Sequence, residues 1–273
     1  MEAYFFVPAS KLQKISTIKN IEVENIIIDL EDAISYSEIS RYLNDLLLKP
    51  ELKKHFIRVP IINLQTTRID LSILQKLQSS GFEKFMLPKL TSIHQFEKLI
   101  EKFAFKTHSL ILLIENPKML FEAPLILKEY PNLFHGISLG SHDYIAETGG
   151  SYNIENLELP RQLILNYARI AKILAIDIAS MQINDLENLK TEIFDGFFKG
   201  FDAKLLIHPK QLNFFKQIQF YDAKEYEWAK KVLKELSLVK SIEDFKPVVI
   251  DGAAVERAHL KRAHKIVNWF EKK

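Results

Sequence analysis

Leu110-Ile111-Leu112-Leu113-Ile114-Glu115 is the stretch on which the fold turns. Five apolar residues run without a polar break, and an acidic residue ends them. A strand built from such a run must be buried on both faces, as strands are in a parallel sheet covered by helices. Working outward, similar short runs punctuate the chain at residues 4–7, 26–30, 56–59, 84–87, 136–139, 177–181 and 204–207. Helical spacing fills the intervals. Phe96, Leu99, Ile100 and Phe103 fall at i, i+3, i+4 and i+7, and Leu163, Tyr167, Ile170, Ala171 and Leu174 repeat the pattern. Asn184 or Asp185 can cap a helix carrying Leu186, Leu189 and Ile193, and Gly81 stands where a helix C-terminus belongs. Eight such runs alternating with helices predict a (β/α)8 TIM barrel, an open doubly wound sheet being the alternative.

The expected barrel spans residues 1–220. Residues 221–273 then form a helical extension of the same domain, a lid or an oligomerisation arm. Trp228, Val232, Leu233 and Leu236 suggest one helix there. Val255, Leu260, Ala263, Val267 and Phe270 suggest a last one, reached through a strand-like segment at 248–250 and a flexible Asp251-Gly252.

Composition narrows the function. Basic residues number 37 against 35 acidic ones, a net charge of +2 without the concentrated excess that nucleic acid or an acidic membrane demands. Cysteine is absent, which removes disulfides, thiolate metal sites and cysteine nucleophiles. No apolar run approaches the roughly 20 residues of a membrane span, and the N-terminal residues lack a signal-peptide pattern. A soluble, cytoplasmic protein is the expectation. The common nucleotide-cradling glycine motifs do not occur.

Barrel enzymes carry their chemistry at the C-terminal ends of the strands. The charged residues of this chain collect there. The second run ends Asp29-Leu30-Glu31-Asp32, the third carries Arg58 and the fourth ends in Lys89. The fifth ends in Glu115, Asp143 follows the sixth, and His208 ends the eighth. Each has a plainer reading: the acidic trio as helix-capping residues, Arg58 as their structural partner, Lys89 as a solvated loop residue, His208 as a structural hydrogen-bonder. Glu115 is the sharpest case. At the end of five apolar residues an unpaired charge would cost several kcal/mol on an order-of-magnitude basis, so a metal, an arginine or a raised pKa must answer for it. Two carboxylates on adjacent strands suit Mg²⁺, with Mn²⁺ as the alternative, because Mg²⁺ takes one or two carboxylates and completes its shell with water and substrate oxygens. Zinc is disfavoured, with no cysteine and no paired histidines at helical spacing.

Read together, Phe5-Phe6-Val7-Pro8, Ile27-Ile28-Asp29-Leu30-Glu31-Asp32-Ala33, Arg58-Val59, Met86-Leu87-Pro88-Lys89, Leu113-Ile114-Glu115, Gly140-Ser141-His142-Asp143 and Ile207-His208-Pro209-Lys210-Gln211-Leu212 follow in order. Asp251-Gly252-Ala253-Ala254-Val255-Glu256 extends the series. The set resembles the citrate lyase beta-subunit-like branch of the HpcH/HpaI aldolase/citrate lyase family, over essentially the whole chain. The resemblance implies a Mg²⁺-dependent carbon–carbon lyase. It would cleave or form a β-hydroxyacyl-CoA, such as a citryl, malyl or citramalyl thioester, giving an acyl-CoA and a keto acid. CoA would enter as part of the substrate. Glu115 and Asp143 would bind the metal, and Arg58 would hold the thioester oxygen or a substrate carboxylate. Asp29, Glu31, Asp32, Lys89 and His208 would line the substrate site, with Asp32 also catalytic. Glu256 stands where the family places an aspartate, an acid/base group supplied by the tail of a neighbouring subunit. A homo-oligomer, trimer or hexamer, follows, with room for citrate-lyase-type partner subunits.

Departures from the pattern keep other readings open. Ser141-His142 replaces the family's usual Ala-Glu, and Ala9 replaces a glycine. A metal-dependent aldolase on free keto acids is one alternative, and a non-catalytic ligand-binding or assembly subunit is another.

Overall fold

The computed structural model describes residues 1–15, 23–63 and 68–271. Eight strands pair in parallel, in chain order: β1 (Glu2–Pro8), β2 (Asn25–Asp29), β3 (Phe56–Arg58), β4 (Phe85–Leu87), β5 (Leu110–Ile114), β6 (Phe134–Leu139), β7 (Leu174–Asp177) and β8 (Ala203–Leu206). β8 returns to pair with β1, so the sheet closes and the expected (β/α)8 barrel forms. The connecting helices are α1 (Ile39–Leu47), α2 (Ser72–Ser79), α3 (Ile93–Lys102), α4 (Pro117–Glu129), α5 (Ser141–Thr148), α6 (Ile154–Ala171), α7 (Leu186–Lys199) and α8 (Pro209–Gln217).

The strands are apolar on both faces because each face meets a different apolar layer. Tyr4, Phe6, Ile27, Phe56, Met86, Ile111, Leu113, Ile176, Ala203 and Leu205 form one buried cluster, built from alternate residues of the strands. The intervening residues, such as Phe5, Ile26, Ile28, Leu110 and Leu112, are equally buried on the opposite face. Local signals set the ends of the helices. Ser92, Asn116, Asn153 and Asp185 each accept a backbone N–H of the first turn that follows, and Pro117 opens α4 behind Asn116.

One strand lies elsewhere than the sequence pattern suggests. β7 is Leu174–Asp177, upstream of the run at 177–181, and Leu174 belongs to the strand rather than to the helix before it. Lys172, in the left-handed region with φ 58°, ends α6. Asp177 sits fully buried inside the strand because Arg161 of α6 holds it, Nε to Oδ1 at 2.9 Å and Nη2 to Oδ2 at 3.0 Å. A paired charge inside a strand looks like a boundary when only hydropathy is read.

The chain divides into two compact units, residues 1–217 and residues 218–273. In the second, α9 (Ala223–Ser237) starts at a reciprocal cap between Asp222 and Glu225. β9 (Val248–Ile250) and β10 (Ala253–Val255) form an antiparallel hairpin, and α10 (Arg257–Glu271) follows. Asp251-Gly252 is the turn of that hairpin and not a hinge. Both residues have positive φ, 51° and 80°, as a two-residue hairpin turn with right-handed strand twist requires. Val255 accordingly belongs to β10 and not to the last helix. Tyr226 stacks on Phe270 at 4.4 Å, and Arg262 donates to Glu225 at 2.8 Å, tying α9 to α10. No helix among the described residues is long and apolar enough to cross a membrane.

Candidate active site

Adjacent strands carry the first pair of site residues in register. Asp29 is the partner of Arg58 across β2 and β3. The guanidinium grips both carboxylate oxygens, Nε to Oδ1 at 2.8 Å and Nη2 to Oδ2 at 2.5 Å. Its Nη1 donates to Asp32 Oδ2 at 3.1 Å and lies 3.3 Å from Glu31 Oε2. The face of Phe6 lies 5.0 Å from the guanidinium carbon, a cation–π contact from β1. Burial alone would lower the pKa of Arg58. The three carboxylates, Asp29 first, overcome that and hold it well above the ordinary arginine value.

Lys89 shares two of these carboxylates and adds Asp143. Its Nζ lies 3.3 Å from Glu31, 3.1 Å from Asp32 and 3.3 Å from Asp143. Burial works against the ammonium, but these neighbours raise its pKa above the usual lysine range. Its backbone is in the left-handed region with φ 55°. For a non-glycine residue that costs about 1–3 kcal/mol. The same twist aims the Lys89 N–H at Glu115 Oε2.

Glu115 sits at the mouth of β5, just before the Asn116 cap of α4, with 3% of its surface exposed. Oε1 is buried without a hydrogen-bond partner. Burial pushes its pKa up to about 8, reinforced by the nearby charges of Glu31 and Asp143. Burial also pushes Glu31 up to about 7, although Arg58 and Lys89 pull the other way. Gly140 faces Glu115 closely enough that a Cβ there would overlap its side chain, which explains the glycine. Asp143, on the first turn of α5, is 43% exposed at the side chain and benefits from the positive end of the helix.

Five carboxylates thus face two cations. The imbalance is one that an added cation would relieve. Among the described residues, no three histidine or carboxylate side chains form a ready-made metal cage.

Asp29, Asp32, Arg58, Glu115 and Asp143 all line one cavity of about 320 Å³ at the C-terminal mouth of the barrel. Glu31 and Lys89 join through their ion pairs. His208 does not join the cavity. Its Nδ1 accepts the Lys210 N–H at the start of α8, while buried Gln211 accepts the N–H groups of Ile207 and His208. Glu256 lies in the second unit, exposed, with its carbonyl accepting the His259 N–H at 2.9 Å.

Several lining residues carried no sequence signal as site residues. Leu113, Leu139, Leu205 and Ile207 form an apolar wall, legible only as inward positions of strands. His142 also lines the cavity and stacks on Tyr152, the rings 4.1 Å apart and 7° from parallel.

Comparison with known proteins adds to this geometry. The family model described as HpcH/HpaI aldolase/citrate lyase matches residues 2–209. The chain is 27% identical over 273 residues to the citrate lyase subunit beta of Haemophilus influenzae, covering 93% of each protein. It is 25% identical to a human mitochondrial citramalyl-CoA lyase, over 94% of this chain and 83% of that protein. Among solved structures, the protein CitE from Mycobacterium tuberculosis in complex with magnesium and pyruvate superposes with a TM-score of 0.68 at 26% identity. That match covers 85% of this chain and 97% of CitE.

Proposed function

We infer that this chain, which belongs to the HpcH/HpaI aldolase/citrate lyase family, is a Mg²⁺-dependent lyase that breaks or forms the carbon–carbon bond of a β-hydroxyacyl-CoA. The observation that carries the reading is the pairing of opposites at the barrel mouth. Arg58, locked by Asp29, shares one cavity with Glu115, whose Oε1 is buried without a partner.

The residues fit a magnesium ion. Glu115 offers an unpartnered buried oxygen, Asp143 a half-exposed one, and an excess of carboxylates surrounds both. Mg²⁺ needs no more protein ligands than these two, since it keeps water and substrate oxygens as the others. When bound, it would polarise the hydroxy-acid half of the substrate and ease loss of the hydroxyl proton.

The remaining chemistry belongs to side chains. Bond breaking leaves an electron pair on the carbon next to the thioester carbonyl, whose oxygen becomes an enolate. Arg58 spends three of its five N–H donors on Asp29 and Asp32. The remaining Nη2 N–H can hold that oxygen as charge develops, and the remaining Nη1 N–H lies near Glu31. Asp29 positions the guanidinium, while Glu31, Asp32 and Lys89 orient the substrate end of the cavity. A carboxylic acid must then protonate the carbon. We assign that step to Glu256, contributed by the tail of a neighbouring chain in a homo-oligomer.

The test is direct. Purified protein with Mg²⁺ and citramalyl-CoA should release a keto acid, followed with phenylhydrazine, and a chelator should stop it. Persistent turnover in Glu115→Gln with the metal removed would exclude this mechanism. Absence of turnover on citryl-, malyl- and citramalyl-CoA alike would exclude the activity.

A further inference from the structure

The cavity has two chemically different halves. Asp29, Asp32, Arg58, Glu115 and Asp143 line it from β2, β3, β5 and the turn after β6. From β6 round to β1, the residues that line it are mostly apolar: Leu139, Ala179 and Met181 beyond β7, then Leu205, Ile207 and Phe6, with Ser141 and His142 at the start of α5 as polar members, His142 stacked on Tyr152. Strands β7 and β8 do carry charges, but on their opposite face. Asp177 is held by Arg161, and Lys204 Nζ lies 3.5 Å from Asp177 and 3.7 Å from Glu192, all buried behind the barrel wall. Alternation along the strands makes the division sharp, since a residue facing the helices cannot also face the cavity.

A substrate at this site has one end that needs charge and one that does not. The hydroxy-acid carboxylate and the developing enolate belong in the polar half. The substituent on the keto-acid carbon is left for the apolar wall. In a citryl thioester that substituent carries a second carboxylate. Among the described lining residues, Arg58 is the one lysine or arginine, and three carboxylates already share it; Lys89, which joins the site through its ion pairs, is likewise shared by Glu31, Asp32 and Asp143. The second carboxylate would lie either unpaired against Leu139 and Leu205 or among like charges.

We propose that the keto acid handled here is a 2-oxo monocarboxylate with a short alkyl side chain, such as pyruvate or its next homologue, and that dicarboxylic keto acids are rejected. The inference rests on the lyase reading above and adds the substrate class. In the cleavage direction the bond between C2 and C3 of the thioester breaks. The C3 hydroxyl gives its proton to one of the cavity carboxylates and becomes the keto group. The released pair stays on C2, which takes a proton to give acetyl-CoA. No oxidant or reductant is involved.

The experiment compares kcat/KM for citramalyl-CoA, which carries a methyl group, with citryl-CoA, in parallel with thermal-shift titrations of pyruvate, 2-oxobutyrate and oxaloacetate in Mg²⁺. The expected result is a preference on the order of tenfold or more for the methyl-bearing thioester, with the same ranking in binding. Equal or better use of citryl-CoA, or equal or tighter binding of oxaloacetate, overturns the inference and leaves the lyase reading standing. Selective binding of the monocarboxylates without any turnover has the reverse meaning, upholding the pocket and removing the activity. Met181→Lys places a cation at an exposed rim position. It should narrow the preference against citryl-CoA several-fold, and an unchanged ratio in that folded variant also counts against the proposal.

Discussion

Arg58 and Asp29 face each other in register on β3 and β2, and the guanidinium meets the carboxylate with two parallel hydrogen bonds of 2.8 and 2.5 Å. Such a fork fixes the arginine plane as well as its position, which a lysine cannot reproduce. Arg58→Lys should therefore lose about 2–4 kcal/mol of transition-state stabilisation. The loss should appear mainly in kcat, with Mg²⁺ affinity by calorimetry little changed. Near-native turnover in that variant would remove Arg58 from its role. Asp29→Asn should lower kcat in the same direction by freeing the guanidinium to tilt.

Glu115 is expected to be the stronger metal ligand, because its Oε1 has no other partner. Glu115→Gln should weaken Mg²⁺ binding at least about tenfold, equivalent to about 1.4 kcal/mol. Isothermal titration checks this, and unchanged affinity would sink the assignment. Asp143→Asn should act in the same sense.

Stability should fall as pH rises when no divalent ion is present. The Glu115 carboxyl goes from an ordinary 4.5 in the unfolded chain to about 8 in the fold, and Glu31 from 4.5 to about 7. Below 4.5 both states hold these protons. Above it the unfolded chain releases them while the folded protein still keeps them, so stability drops with pH until the folded groups also ionise. The melting temperature should decline between about pH 5 and pH 8, less steeply with Mg²⁺ present and less steeply in Glu115→Gln. A melting temperature independent of pH in that window would contradict the buried-carboxyl argument.

Lys89 should not form a Schiff base. Three carboxylates within 3.3 Å raise its pKa, and the reaction needs a neutral amine. Borohydride added with pyruvate and protein should leave the intact mass unchanged. A covalent adduct located on Lys89 would refute this.

Glu256→Ala should abolish turnover while leaving Mg²⁺ affinity within a few-fold of the parent. If one site draws on two chains, mixing this variant with Arg58→Ala under subunit exchange should restore part of the activity. Proven exchange without recovery would assign the tail a role inside its own chain, or none in catalysis.

The barrel itself was legible in the amino-acid order. Runs such as residues 110–114 state their preference for burial one residue at a time, and period and length turn that preference into strands and helices. Most polar site residues were legible for a related reason. Asp29, Arg58, Lys89, Glu115 and Asp143 interrupt or follow apolar runs at one end, a position that costs energy unless something compensates. Pairing was not legible. Lys89 and Asp143 are 54 residues apart, Arg58 and Asp29 are 29 apart, and the pairing of strands in the sheet is what brings them within 3.5 Å. The same holds for Asp177, whose partner Arg161 reads as an ordinary helix residue until the two are buried together and β7 is placed upstream of the run at 177–181. His208 looked like its neighbours in sequence yet turned to the helix backbone. Solvent preference is a property of single residues and is written along the chain. The raised pKa of Glu115, the grip of Asp29 on Arg58 and the apolar wall are properties of pairs and surfaces, so they come into being only when the barrel closes.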